Sequence, residues 1–390
     1  MFLKFRKMAV ASWSPTFCSK SRLNVPRVST FLKTTLKRHA IKAKALEVQT
    51  ATIFPARGMA WTVAIFGEAS TCKKICTEVW TGEMDPRIAL IRDELRVNIE
   101  RMSSDQRVFH GRGGCFEGLE CLALDSIGNN LLVTSYAEEE ESFWEALTKL
   151  INEEFANMWQ NIYLQNRPRS FSWITLCGMP QDYLDVAENG LKYRVNLDSV
   201  QNLGFFFDMK VGRSFVRGNA KNGKVLNMFA YTCSLSVAAI GGGANEVVNI
   251  DMAKNALAKG RDNHRLNGQK FQNVKFLSHD ILKSFGSLVK KGPFNLIIVD
   301  PPSNQGKSFY VEKDYAKVVR RLPEMLAPDG VVMACLNAVH LQDDFLRELF
   351  AANGFVFERK LENPPEFREK NDSLGLKVHV YKYCSRVEAK

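Results

Sequence analysis

The sequence predicts an α/β protein, a doubly wound Rossmann-type parallel sheet preceded by a small α+β domain. Three observations carry this. Between Lys224 and Ser303 three apolar, β-branched runs end in Asn227, Asp251 and Asp300. Helical patterns follow the first two, and strand, helix, strand at that spacing is a βαβ unit, whose ligands bind at the carboxyl ends of the strands. The third run stops in Asp300-Pro301-Pro302, where two prolines end the ladder and fix the backbone beside such a crevice.

Read in order, the chain opens with residues 1–46, which hold eleven Lys and Arg and no acid. A basic, Ser- and Thr-rich, acid-free start suits an organelle transit peptide, its boundary lying as far in as about residue 80. The competing reading is a basic arm that binds nucleic acid. Residues 47–80 look loosely structured. Pro86 to Met102 reads as a helix. A hairpin is expected around Gly128-Asn129-Asn130, then an amphipathic helix through Phe143, Leu147, Leu150, Ile151 and Phe155, then a strand at NIYLQNR. A second hairpin turns at Glu188-Asn189-Gly190. Two strands, a helix and two strands define a domain over 85–195, ahead of a sheet domain over 196–390. Helices are expected at Ser234–Ile240, Lys254–Leu266, Tyr315–Met325 and Asp343–Asn353, with further strands at VVMACLN and LKVHVYKY.

Composition narrows the function classes. The chain has 390 residues, 45% hydrophobic and 24% charged, enough for two packed domains. No apolar run approaches the roughly 18–20 residues that span a bilayer. The net charge of +11 lies entirely in residues 1–46; without them 42 bases face 42 acids. Residues 85–195 are then net −7 and 196–390 net +8, a modest bias toward a polyanion. Nine cysteines form no CxxC pair, which speaks against zinc and for a reduced compartment. There is no GxGxxG and no GxxxxGK[ST], which counts against NAD, FAD and P-loop nucleotides.

The candidate residues follow from the strand ends. Asp251 is placed to accept hydrogen bonds from ribose hydroxyls, or simply to cap the next helix. Asp280, ending VKFLSHD, suits the adenine amino edge or another cap. Asp300, Pro301 and Pro302 offer a carboxylate, carbonyls and an apolar stacking face to a flat base. Cys335 and Asn337 share one strand face, Asn337 nearer the crevice and Cys335 a buried small residue. Gly241–Gly243 read as a helix cap rather than a phosphate cradle. Of Phe205, Phe206 and Phe207, not all can face one core.

Together these residues resemble the bacterial class I S-adenosylmethionine-dependent methyltransferases of the ribosomal RNA large-subunit I and K/L type. The matching residues are Gln201, Gly204, Phe205, Phe206, Asp208 and Arg213, then Val225-Leu226-Asn227-Met228-Phe229-Ala230-Tyr231-Thr232, Asp251 and Asp300-Pro301-Pro302. The resemblance spans roughly residues 107–383. It implies S-adenosylmethionine as cofactor, with Asp251 at the ribose, Asp280 at the adenine, and Asn227, Phe229, Tyr231 and Thr232 in the loop beside the methionine part. Asp208 and Arg213 fall near its polar end. Asp300, Pro301, Pro302 and Asn337 present the acceptor, implied to be a base of ribosomal RNA. The chain departs from the pattern at Cys233, where the family has Gly, and at Met209 and Lys210. The family's N-terminal RNA-binding domain is not expected here. Cytosine-5 enzymes carry a cysteine where Asn337 stands, so Asn337 disfavours C5 chemistry, which needs a thiolate to add to the ring. The expected product is an organellar RNA methyltransferase, a plastid ranked ahead of a mitochondrion. The alternatives are a methyltransferase for protein or small molecules, and an inactive RNA-binding assembly factor. No metal is expected.

Overall fold

The computed structural model describes residues 85–198, 202–306 and 308–384, together with the backbone of three strands nearer the amino end. Residues 1–46 and Gln201 lie outside the described residues. The three strands are β1 (Gln49–Ile53), β2 (Trp61–Phe66) and β3 (Lys73–Glu78). They form an antiparallel meander, with Ala51 opposite Val63 and Val63 opposite Cys76. This departs from the loose structure expected for 47–80. WTVAIF and KKICTE are rich in β-branched and aromatic residues, which favour pairing even without long apolar runs. The segment belongs to a unit over Met1–Glu83, separate from the unit over Met84–Lys390.

The second unit begins with α1 (Pro86–Arg101). Asp85 caps it by accepting from the Arg87 N–H at 2.9 Å, and Pro86 takes the first turn, where no donor is needed. Five strands follow in one sheet: β4 (Gln106–His110), β5 (Leu122–Ile127), β6 (Asn130–Ser135), β7 (Asn161–Asn166) and β8 (Ile174–Cys177). They are ordered β4-β5-β6-β7-β8, and α2 (Glu141–Glu154) crosses between the parallel β6 and β7. Ile88, Ile91 and Leu95 of α1 and Phe143, Leu147 and Ile151 of α2 bury against Leu124, Leu131, Val133 and Leu164. The second hairpin, β9 (Tyr183–Glu188) and β10 (Leu191–Asn196), pairs only with itself. Its Asn189-Gly190 turn has both φ angles positive, 51° and 74°, as a two-residue hairpin turn requires. Leu184, Val186, Tyr193 and Val195 pack with Ile127 and Tyr163 of the small sheet on one hand and with Phe205, Phe207 and Val237 on the other. The hairpin thus fills the space between the two sheets.

The main sheet has seven strands: β11 (Lys224–Met228), β12 (Glu246–Asp251), β13 (Val274–Ser278), β14 (Phe294–Val299), β17 (Leu326–Leu336), β18 (Phe355–Leu361) and β19 (Lys377–Tyr383), while β15 (Asn304–Gln305) and β16 (Phe309–Tyr310) make a small ribbon. The order is β13-β12-β11-β14-β17-β19-β18, parallel except for the antiparallel β19. The strand order reverses between β11 and β14, which is where such sheets bind ligands. Helices α3 (Lys210–Asn219), α4 (Ser234–Gly241), α5 (Lys254–Leu266), α6 (Phe285–Lys291), α7 (Val311–Val319) and α8 (Asp343–Ala351) cover it. Leu226, Met228, Val248 and Ile250 bury on one face, and Val225, Val247, Leu296 and Ile298 on the other. Central strands buried on both sides must read as continuous apolar runs, as these do.

Most expected helices fall in place, but one is shifted and two, α3 and α6, were not among those expected. The helix expected at Tyr315–Met325 starts earlier, because Asp314 reaches back to the Tyr310 N–H at 2.9 Å and orders its first turn. Helix α3 was not expected at all. Gly242 ends α4 with its N–H on Ala238 and Ala239 carbonyls, and a Cβ there would lie 2.0 Å from the Arg217 carbonyl oxygen. The glycine run is therefore a cap and a close approach.

Candidate active site

Alternation along the strands puts Val225, Asn227, Val247, Asn249 and Asp251 on one face of the sheet, with Ile298, Asp300, Met333 and Cys335 beside them. Above this face the chain leaves β11 through a loop without glycine. Phe229, Tyr231 and Cys233 all have positive φ, 56°, 46° and 61°. Each such residue costs of order 1 kcal/mol or more and persists only when its surroundings hold it. Here the Tyr231 N–H donates to Asp251 Oδ2 at 2.8 Å, and the Ala253 N–H to Oδ1 at 2.7 Å. Asp251 therefore ties the loop to the end of β12 and caps the following turn with the same carboxylate. Thr232 Oγ1 donates to the Gly204 carbonyl at 2.5 Å, and Asn263 of α5 donates to the Thr232 carbonyl at 3.0 Å.

The Phe205–Phe207 question resolves by alternation. Phe205 and Phe207 are buried, while Phe206 is 45% exposed with its ring 5.6 Å from Tyr231. Arg213 is fully buried in a bidentate pair with Glu188, at 2.7 and 2.6 Å, and donates to the Phe206 carbonyl at 2.8 Å. Its guanidinium is committed to the protein. It orders the segment that carries Asp208. Asp280 accepts from the Leu282 N–H at 2.9 Å and lies 3.3 Å from Lys283 Nζ, so it caps the turn after β13.

Opposite the loop, Ser303 Oγ donates to the Asn337 carbonyl at 2.8 Å and fastens the Asp-Pro-Pro turn to the end of β17. Pro301 is buried and Asn337 exposed. Asp300 and Asp208 lie near enough to repel. Burial first, and then the Asp208 charge, push the Asp300 carboxyl up to about 7, against a hydrogen bond from the Cys335 thiol that pulls it down. Burial also raises Asp208, though Arg107 and Arg213 oppose it. Cys335 is wholly buried, and burial and Asp300 push its thiol far up.

A polar chain beneath the loop was not anticipated. Asn227 Nδ2 donates to Asn249 Oδ1 at 2.9 Å, Asn249 Nδ2 to Ser236 Oγ at 2.9 Å, and Ser236 Oγ meets His264 Nε2 at 2.9 Å. His264 Nδ1 faces Gln269 Oε1 at 2.6 Å, and Gln269 Nε2 donates to the Val237 carbonyl at 3.0 Å. That last bond fixes Gln269 Oε1 as an acceptor, so His264 Nδ1 donates and Nε2 accepts from Ser236. Burial lowers His264 to about 4, in keeping with a neutral ring. The Asn227 Oδ1 atom at the head of the chain is buried without a partner. The sequence signal for this chain was two asparagines inside apolar strands. Among the described residues no group of three or more His, Cys, Asp or Glu could hold a metal.

A parallel sheet with its order reversing at β11 and β14, and with acids at the strand ends of that crevice, defines a doubly wound protein of the nucleotide-cofactor class. The S-adenosylmethionine-dependent methyltransferase family model matches residues 106–382, and the chain belongs to that family. It is 32% identical over 158 residues to a ribosomal RNA large subunit methyltransferase I of Aeromonas salmonicida, covering 40% of each chain. It is 36% identical over 159 residues to a ribosomal RNA large subunit methyltransferase K/L of Shewanella loihica, covering 40% of this chain and 22% of that one. The chain thus spans well under half the length of these curated relatives. A solved structure from Streptococcus mutans aligns with TM-score 0.67 at 21% identity, over 90% of this chain and 98% of that one, a likeness of fold.

The residues present fit the family's cofactor. The Asp208 charge, which acts on Asp300 across the crevice, suits a cofactor that carries a sulfonium and an ammonium. The first turn of α4 leaves backbone N–H groups that suit a carboxylate.

Proposed function

We propose that this protein transfers a methyl group to a base of RNA, and that the RNA is ribosomal. The carrying observation is the Asp300–Ser303 turn, pinned to Asn337 at the strand end facing the cofactor loop. The related large-subunit enzymes support RNA as the substrate. S-adenosylmethionine supplies an electrophilic methyl group. The chain's own residues position the acceptor. Asp251 and the Phe229–Thr232 loop hold the cofactor, with Asn227 beneath. Asp280 lies toward the adenine end, where its second oxygen also meets Lys283. Arg213 is a positioning residue that acts through Asp208. Asp300 and the carbonyls around Pro301 and Pro302 hold the base edge, and Asn337 borders it. In-line transfer gains most from such positioning. With Asn337 where a cytosine-5 enzyme has its thiolate, and Cys335 protonated beneath Asp300, the acceptor is a ring nitrogen or exocyclic amine. Residues 1–46 act as an import signal for a plastid, ahead of a mitochondrion, leaving residues 85–195 as the substrate-side domain and 196–390 as the transferase domain.

The test is methyl transfer from radiolabelled S-adenosylmethionine to RNA of cells lacking the protein. The expected product after nuclease digestion is a single N-methylated nucleoside in ribosomal RNA. Label found only in protein or in small molecules would refute the reading.

A further inference from the structure

We propose that the small domain carries a second RNA contact, in which Arg112, Tyr136 and Arg167 hold nucleotides next to the base that enters the Asp300 crevice. This rests on the RNA reading above. Tyr136 follows β6 and Arg167 follows β7, two parallel strands in register at Ser135 and Asn166. The Arg167 N–H donates to the Ser135 carbonyl at 3.0 Å, which fixes that register. Arg112 comes from the turn after β4, at the same end of the sheet. Both guanidinium groups lie over the Tyr136 ring, with their central carbons 4.1 and 4.6 Å from its centroid. Three connections of one sheet thus build a cation–aromatic stack.

The stack is joined to the crevice by a line of charges. Arg107 on β4 feels both Tyr136 and Asp208, and Asp208 in turn acts on Asp300. Arg107 itself is neutralised by Asp125, at 2.5 and 3.3 Å. Further cations flank the turn that carries Arg112. The Lys370 N–H donates to the Gly113 carbonyl at 2.7 Å, and Arg368 lies 5.8 Å over the Phe116 ring. Arg112, Arg368 and Lys370 are exposed, while Glu369 between the last two turns to His110 at 3.2 Å. This arrangement suits a polyanion that also carries flat groups. Guanidinium planes stack on nucleobases and bind phosphates in pairs of hydrogen bonds. An extruded base needs its neighbours held while it leaves the stack.

The experiment uses the full chain and a 5′-fluorescein, mixed-sequence, single-stranded RNA 20-mer, titrated by anisotropy at several potassium chloride concentrations. Arg112→Gln with Arg167→Gln should weaken binding at least tenfold and reduce the salt slope by about 1–2, at roughly 0.7 for each phosphate that the protein ceases to neutralise. Arg112→Lys with Arg167→Lys should keep the slope and lose part of the affinity, because charge stays and stacking goes. S-adenosylhomocysteine affinity, measured by calorimetry, should be unchanged in each variant. The bases of residues 1–46 act equally in all variants, so differences report the stack. Independently, 4-thiouridine RNA irradiated with wild-type protein should form adducts on peptides bearing Arg112, Tyr136 or Arg167. Wild-type affinity in the glutamine variant, or adducts confined to other peptides, overturns the proposal while RNA methylation stands. Absence of any methyl transfer to RNA overturns the substrate reading and this site with it.

Discussion

At the residue scale, Asp300 and Cys335 determine how the crevice responds to pH. The Asp300 carboxyl is raised from 3.8 to about 7. A carboxyl raised on folding stabilises the native state only in its protonated form. Its penalty therefore grows as pH rises from about 4 and levels off above about 7. Asp300→Asn should melt higher than wild type at pH 8, by a stability gain of about 1–3 kcal/mol, with the gap closing toward pH 4. Equal melting shifts at both pH values would contradict the raised carboxyl. The same site distinguishes two chemistries. Cys335→Ala should retain methyl transfer and move the acid limb of the rate profile upward, since the thiol's hydrogen bond lowers Asp300. Asn337→Ala should reduce turnover with cofactor affinity unchanged, as expected of a group that touches the acceptor. A Cys335 variant that binds cofactor yet is dead, with wild type trapped on 5-fluorocytosine RNA, would establish C5 chemistry instead.

At the element scale, the cofactor loop and α5 are fitted to each other. Cys233 sits at φ 61°, a region that favours glycine, and its side chain needs room. That room is Gly260, where an added Cβ would lie 2.5 Å from Cys233 Sγ. Gly260→Ala should destabilise the protein by about 1–3 kcal/mol, the cost of overpacking. Adding Cys233→Gly should recover most of the loss, because it frees the space and suits the positive φ. Chemical denaturation of the single and double variants checks the coupling, and additive effects would disprove it. The same contrast explains what could be read in advance. The βαβ alternation, both hairpin turns and the strand-end acids were legible because they follow local periodicity and turn chemistry. Helix α3 was not, since Gly212 and Gly218 weaken its local preference and Arg213 secures it through Glu188, 25 positions away. The Asn227–His264 chain was legible only as two polar residues in apolar strands, and its partners come from α4 and α5. The roles of Arg107, Glu188 and Asn263 left no local mark at all, because each depends on a partner distant in sequence.

At the scale of the whole molecule, the charge asymmetry makes its own prediction. A fluorescent fusion of residues 1–80 should enter a plastid or a mitochondrion, and microscopy with organelle markers reads the result. A fusion that stays in the cytosol, together with loss of RNA binding on deleting those residues, would make the segment a binding arm. The hairpin between the two sheets has a different consequence. Its turn contributes Glu188 to a pair in which both side chains are 1% exposed. Removing one partner of such a pair costs about 3–5 kcal/mol, because the other charge stays buried alone. Neither the hairpin nor α3 can therefore open by itself without stranding a charge. Their amide protons should exchange with deuterium at one common rate, set by a shared opening of the β9–β10 turn and α3. In a Glu188→Gln protein, exchange of both segments should accelerate together while the amides of β14 and β17 keep their protection. The hairpin and α3 would then breathe as a single cooperative body.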